Sequence, residues 1–149
     1  TDGDRIRGLL GTYCQLIDAG DFAGLGALMA RATLRTEEGA AVATGSAEVA
    51  ALYADLVRVH GDGTPMTQHL VANTVFHDPH ADGSVTATSS YVVLQSTPEL
   101  RLQPVIAGTY VDTFARDEAG SWHFTERRFG IGRAGDLSHH LTTAIGEPS

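Results

Sequence analysis

The hydrophobic period of this chain changes once, and the change falls at Pro65. Before it, apolar residues recur at helical spacing. After it, they alternate with a period of two. Ile6, Leu9, Leu10, Tyr13, Cys14 and Ile17 fall on one face of a helix, which Asp2 or Asp4 can cap and Ala19-Gly20 can stop. Asp21 is placed to cap a second, short helix carrying Phe22, Leu25, Leu28 and Met29. Gly24 and Gly26 weaken that helix, so packing must hold it. Residues 33–45 read as a small hairpin around a Glu-Glu-Gly turn. Ser46 is the expected cap of a third helix, with Val49, Leu52, Tyr53, Leu56, Val57 and His60 on its apolar face.

Beyond Pro65 the pattern predicts four strands, at 67–76, 84–95, 105–116 and 121–130. The turn-rich segments 77–83 and 117–120 separate them, and Pro98 and Pro104 bracket an irregular connection. From Arg133 the chain reads as a loose helical tail without a core pattern. Helices gathered early and an antiparallel meander late make an α+β fold. The expectation is one domain over 1–149, with a core of about 5–131 and a tail at 132–149. Three N-terminal helices would pack in a strongly curved, mostly antiparallel sheet, giving a cone with an inner pocket.

Composition narrows the chemistry such a pocket can hold. All ten cations are Arg and none is Lys, which excludes a Walker A lysine, a Schiff base and a Ser–Lys dyad. The single Cys14 excludes an intrachain disulfide and a multi-Cys zinc site. A net charge of −8 speaks against nucleic acid as partner. No apolar run nears the roughly 20 residues of a membrane helix. No basic-then-apolar opening marks export, so a cytoplasmic setting is the default expectation. What remains for acid–base work is His, Asp, Glu and Tyr, and a metal-free, cofactor-free proton shuttle is the chemistry most compatible with that set.

Asp18 continues the apolar face of the first helix, where a carboxylate is costly unless paired; alternatively it sits in the last turn and reaches solvent. His69 opens the first long strand and shares a face with Val71, Asn73 and Val75. Alone it reads as a structural histidine. Paired with Asp18 it becomes a candidate general base, because a carboxylate on one ring nitrogen leaves the other free. Tyr53, on the buried stripe of helix three, needs a hydroxyl partner whether it is a core aromatic or a ligand contact. Gln95 and Tyr91 share one strand face, and Tyr13 lies on the first helix's buried stripe. With Tyr53 and Asn73 they form the candidate substrate-binding set. Asp112 opposite Arg127 or Arg128 reads as a cross-strand ion pair, worth little if exposed. His77-Asp78-Pro79-His80 reads as a turn rather than a zinc site, and His139-His140 as weaker still.

The ordered set resembles a known family. Ile17-Asp18-Ala19-Gly20-Asp21-Phe22, Thr67-Gln68-His69-Leu70-Val71-Ala72-Asn73, Ala107-Gly108-Thr109-Tyr110-Val111-Asp112 and Gly120-Ser121-Trp122-His123-Phe124 are similar to the SnoaL-like branch of the nuclear transport factor 2-like superfamily. The resemblance implies the same cone and a homodimer or higher homo-oligomer through the sheet's outer face. The site-bearing residues look closest to scytalone dehydratase. Asp18 before Gly20-Asp21-Phe22 matches its catalytic Asp, and His69 after Thr67-Gln68 matches its catalytic His. The rest of that enzyme's pocket is replaced: its second histidine falls on Gln95, one tyrosine on Ile17, the other near Glu37 or Glu38. The resemblance therefore implies an Asp–His dyad acting on a different substrate.

Three functions compete on these grounds. One is a cofactor-independent dehydratase, isomerase or cyclase of a small polyketide- or terpenoid-like molecule, with His69 as base and Asp18 orienting it. Another is a non-catalytic assembly module, such as a ring-hydroxylating dioxygenase β subunit. The third is a small-ligand binder without turnover.

Overall fold

The computed structural model describes residues 1–142. Helix α1 (Asp2–Asp18) starts at Thr1, which caps it with Asp4 in a reciprocal capping box. Helix α2 (Phe22–Leu28) follows, with Asp21 Oδ1 accepting from the Gly24 N–H at 2.8 Å as the sequence predicts. Strands β1 (Thr33–Thr36) and β2 (Ala41–Thr44) form the small hairpin. Helix α3 (Gly45–Leu56) begins one residue before the expected Ser46 cap, and no side chain caps it from Thr44. It also ends before Val57 and His60, which leave the helix to hold the chain's last described residues. The four long strands are β3 (Thr67–Phe76), β4 (Val85–Thr97), β5 (Leu100–Arg116) and β6 (Trp122–Ala134). None of the helices is long and apolar enough to cross a membrane.

The sheet runs β2-β1-β6-β5-β4-β3. Strands β3 to β6 form the antiparallel meander, and β1 joins β6 in parallel. Bulges between Ala72 and Val75, Val93 and Leu94, and Thr113 and Phe114 curve the sheet without closing it. Its concave face receives α1 against β3 and β6, while α2 packs on α3. Ile6, Leu25, Met29, Leu34, Val49, Phe114 and Phe124 fill the centre of the core.

Pro104 lies inside β5 instead of in an irregular link. The β4 register shifts opposite it, and β6 pairs with β5 only from Ile106 on, so its missing N–H removes no ladder bond on that side. The end of the chain also departs from expectation. Residues 135–142 are not a helix but a strap across the rim of the cone. Leu137, His140 and Leu141 are buried, and Leu141 bridges to Val57. The remainder of the expected helical tail, 143–149, lies outside the described residues.

Candidate active site

Asp18 is the last residue of α1, where the helix dipole disfavours negative charge. The turn after it is sharp. Gly20 N–H donates to the Ile17 carbonyl and Asp21 N–H to the Leu16 carbonyl, a Schellman closure with Gly20 at φ +73°. A β-carbon at Gly20 would sit 2.6 Å from the Gly63 carbonyl oxygen, so only glycine lets this turn approach the loop that leads into β3. Met66, at φ 55°, then turns the chain into that strand.

This entry aims three donors at one carboxylate. Thr67 Oγ1 donates to Asp18 Oδ1 at 2.9 Å. His69 donates its backbone N–H to Oδ2 at 2.8 Å and its ring Nδ1–H to Oδ1 at 2.6 Å. A carboxylate can only accept, which places a ring proton on Nδ1 and, in the neutral imidazole, leaves Nε2 as the acceptor. His69 Nε2 has no hydrogen-bond partner among the described residues.

The ring of His69 separates two spaces. Outside, between α1 and β3, lies an open groove of about 640 Å³, lined by Arg7, Gln15, Asp18, Gln68 and Asn73 among others. Inside the cone is a more enclosed, mostly apolar cavity of about 80 Å³. That is room for about two or three waters. Asp18 lines only the groove, whereas His69 lines both spaces. We assign the candidate site to the inner cavity despite its smaller volume, because the ring is 4 % exposed and the groove is wide open to water.

Four tyrosines shape that cavity. Tyr13 and Tyr53 share a hydroxyl–hydroxyl hydrogen bond, and Tyr91 stacks on Tyr110 with ring centroids 4.0 Å apart. Tyr91 lies across Gly108, where a β-carbon would meet its ring at 2.7 Å, and its hydroxyl donates to the Gly130 carbonyl. Behind this layer is Arg127, with its side chain fully buried. It donates to both Asp112 oxygens, at 2.7 and 2.9 Å, and its guanidinium carbon lies 3.6 Å from the Tyr110 ring centroid and 4.2 Å from that of Tyr13. The cross-strand ion pair expected for Asp112 thus forms with Arg127, as the buried floor of the tyrosine cluster. Burial raises the pKa of all four tyrosines and keeps their hydroxyls protonated.

Of the residues singled out from sequence, His69, Tyr13, Tyr53 and Tyr91 meet at the cavity, with Asp18 behind His69. Two do not join them. Asn73 is exposed on the groove side, because the β3 bulge gives it φ 55° and breaks the alternation. Gln95 is buried but spends its amide N–H groups on the Pro65 and His139 carbonyls, at 3.0 and 2.8 Å, so it ties down the strap instead of facing the cavity. His77 and His80 bond Thr88 and Thr86 of β4, as turn residues latched to the sheet. Among the described residues no three His, Cys, Asp or Glu side chains converge as metal ligands.

The site residue that sequence reasoning passed over is His140. It is 3 % exposed, lines the cavity, and its ring centroid lies 6.0 Å from that of His69. Burial, then the neighbouring His69, lowers its pKa to about 4. The one signal was the apolar spacing Leu137-x-x-His140-Leu141, which is short and irregular.

Comparison with known proteins fits this architecture. No curated protein matches the chain. Among solved structures, ActVI-ORFA from Streptomyces coelicolor superposes with a TM-score of 0.69 at 21 % identity, over 87 % of this chain and 96 % of that one. An NTF2-like protein with a cystatin-like fold from Novosphingobium aromaticivorans gives 0.68 at 22 % identity, over 93 % and 86 %. The β subunit of a putative aromatic-ring-hydroxylating dioxygenase from the same organism gives 0.62 at 21 % identity, over 90 % and 92 %. The model of the SnoaL-like domain matches residues 1–128, and with that span the chain belongs to the SnoaL-like family.

Proposed function

We propose that this SnoaL-like protein is a cofactor-independent acid–base enzyme, a dehydratase, isomerase or cyclase of a small polyketide- or terpenoid-like molecule. His69 carries the proton and Asp18 positions it. The observation that supports this reading most is the pairing of His69 Nδ1 with Asp18 Oδ1 at 2.6 Å, with the other ring nitrogen left unpartnered beside an apolar cavity.

The chemistry follows from the groups around it. His69 Nε2 takes a proton from a carbon next to a carbonyl, and the electron pair moves onto the carbonyl oxygen. In the Tyr13–Tyr53 pair one hydroxyl donates to the other, which leaves one O–H to hold that oxygen. The buried Arg127 beneath these rings favours the negative charge that develops there. Returning the proton to a different carbon completes an isomerisation. Giving it to a departing hydroxyl completes a loss of water. A ring-sized molecule enters only if the cavity wall yields, and the strap at 135–142 is the irregular part of that wall.

The small cavity and the dioxygenase β subunit among the similar structures support a second reading, an assembly module without turnover. Deuterium uptake at the α-carbons of 2-tetralone in D2O, followed by NMR, separates the two. The first reading expects uptake above buffer by the wild type and its loss in His69→Ala. Uptake no faster than buffer, or equal in His69→Ala, overturns it in favour of the module.

A further inference from the structure

The strap contributes a buried imidazole that its own packing does not use. The carbonyls at its centre are paired with the rest of the fold. The His139 carbonyl accepts from Gln95 Nε2 and His60 Nε2, each at 2.8 Å. The His140 carbonyl accepts from the Arg58 N–H, and the His140 N–H donates to the Leu137 carbonyl. The Leu141 carbonyl accepts from Arg58 Nε at 3.0 Å. Beside these bonds the His140 ring stands out. Its Nδ1 is buried without a partner, and neither ring nitrogen is hydrogen-bonded among the described residues. Gln95 Oε1 and Arg127 Nη1 are also buried without a partner among the described residues, but of the three side chains only His140 lines the cavity, where a ligand can supply a partner to its unpaired ring.

We propose that His140 contacts the ligand of this site, its imidazole hydrogen-bonding an uncharged hydroxyl or keto oxygen on the wall beside His69. This rests on the cavity being a ligand site and extends that reading to the kind of oxygen bound. The titratable groups that bear on the ring are His69, Asp18 and His60. Its burial disfavours the imidazolium, so near neutral pH the ring offers one N–H and one lone pair. Such a group matches a hydroxyl, which both donates and accepts, or a carbonyl. It gives no countercharge to a carboxylate or phosphate. The buried guanidinium of Arg127 gives Nε and Nη2 to Asp112; its Nη1 has no partner among the described residues, but Arg127 does not line the cavity. The ligands favoured are therefore neutral oxygenated ring compounds, held by His140 on the His69 side.

Binding of 2-naphthol, naphthalene and 2-naphthoate near pH 7, by calorimetry or fluorescence, tests this on the wild type, His140→Leu and His140→Gln. The wild type is expected to prefer 2-naphthol over naphthalene by about 5- to 10-fold, the worth of one hydrogen bond, and to bind 2-naphthoate worst. His140→Leu should erase the preference while naphthalene binding holds, and His140→Gln, which keeps a donor and an acceptor, should restore part of it. A purely structural role would weaken both ligands together. An unchanged preference in His140→Leu, an equal loss for naphthalene, or no binding of 2-naphthol by the wild type overturns the proposal. Deuterium uptake from 2-tetralone is read separately on the same wild type. Binding selectivity lost in His140→Leu without any catalysed uptake leaves His140 a ligand contact and removes only the enzymatic reading.

Discussion

His69 grips Asp18 twice: its backbone N–H donates to Oδ2 at 2.8 Å and its ring Nδ1 to Oδ1 at 2.6 Å, across 51 residues of sequence. Backbone and side chain of one residue thus close on a single carboxylate. The imidazole cannot rotate without breaking the ring bond, and the strand cannot slip without breaking the other. A pairing of this kind locks both the tautomer and the direction of the free nitrogen.

Asp18→Asn keeps the shape of this contact and reverses one half of it. The amide can turn its NH2 towards His69 Nδ1, which then becomes the acceptor and sends the ring proton to Nε2. Under the proposed function, deuterium uptake from 2-tetralone should fall by about 100-fold or more. ¹⁵N chemical shifts of the His69 ring should report the switched tautomer. The original tautomer with undiminished deuterium uptake in Asp18→Asn would show that Asp18 does not position the base.

Acid should destabilise the protein through His140. Its pKa is lowered from 6.5 to about 4 in the fold, so between those values the unfolded chain binds the proton and the folded one does not. The contribution is complete above about pH 6.5 and is lost as the pH falls towards 4. The full effect is of the order of 3 kcal/mol. Urea denaturation at pH 7 and pH 4.5 measures it. His140→Leu should reduce the difference between the two pH values by most of that amount; an identical pH dependence in the variant would rule this contribution out.

The Asp112–Arg127 pair predicts an asymmetric response. Asp112→Ala leaves a fully buried guanidinium without its countercharge and should destabilise the fold by about 3–5 kcal/mol. Removing both charges together, as Asp112→Leu with Arg127→Met, should cost much less, because no unpaired charge remains. Chemical denaturation of the single and double variants decides the point. A double variant as unstable as Asp112→Ala would mean that the loss comes from packing beneath the tyrosines.

Gln95 should control the strap. Gln95→Leu takes its amide from the Pro65 and His139 carbonyls; His139 keeps its bond from His60 Nε2, whereas the Pro65 carbonyl loses its side-chain donor, at a cost of about 1–3 kcal/mol. The expected local result is faster amide hydrogen exchange over 135–142, with the centre of β4 and β5 unchanged. Uniformly faster exchange across the sheet would contradict a role confined to the strap.

Much of the frame was readable from the residues because its signals are local. The change of period at Pro65 separates helices from strands, and the Ala19-Gly20-Asp21 turn is legible because left-handed geometry and capping each favour few residue types. Asp18 and His69 could be nominated from their places on an apolar helix face and a strand face, with the family likeness bringing them together. The errors share a cause. Asn73 departs from its face because a bulge shifts the register, and a bulge leaves little trace in a hydrophobic pattern. Gln95 and His140 were misjudged because both depend on a segment with no periodicity.

The order of helices and strands, the concave α+β sheet and a palette of His, Asp and Tyr without Lys are written in the residues alone, since periodicity, turn chemistry and composition act over a few residues at a time. Three outcomes belong to the folded chain. Asp18 meets His69, Arg127 and Asp112 lie buried beneath the tyrosines, and the strap brings His140 to the cavity. They depend on which distant groups satisfy one another's hydrogen bonds once water is excluded, and no local window of residues contains that information.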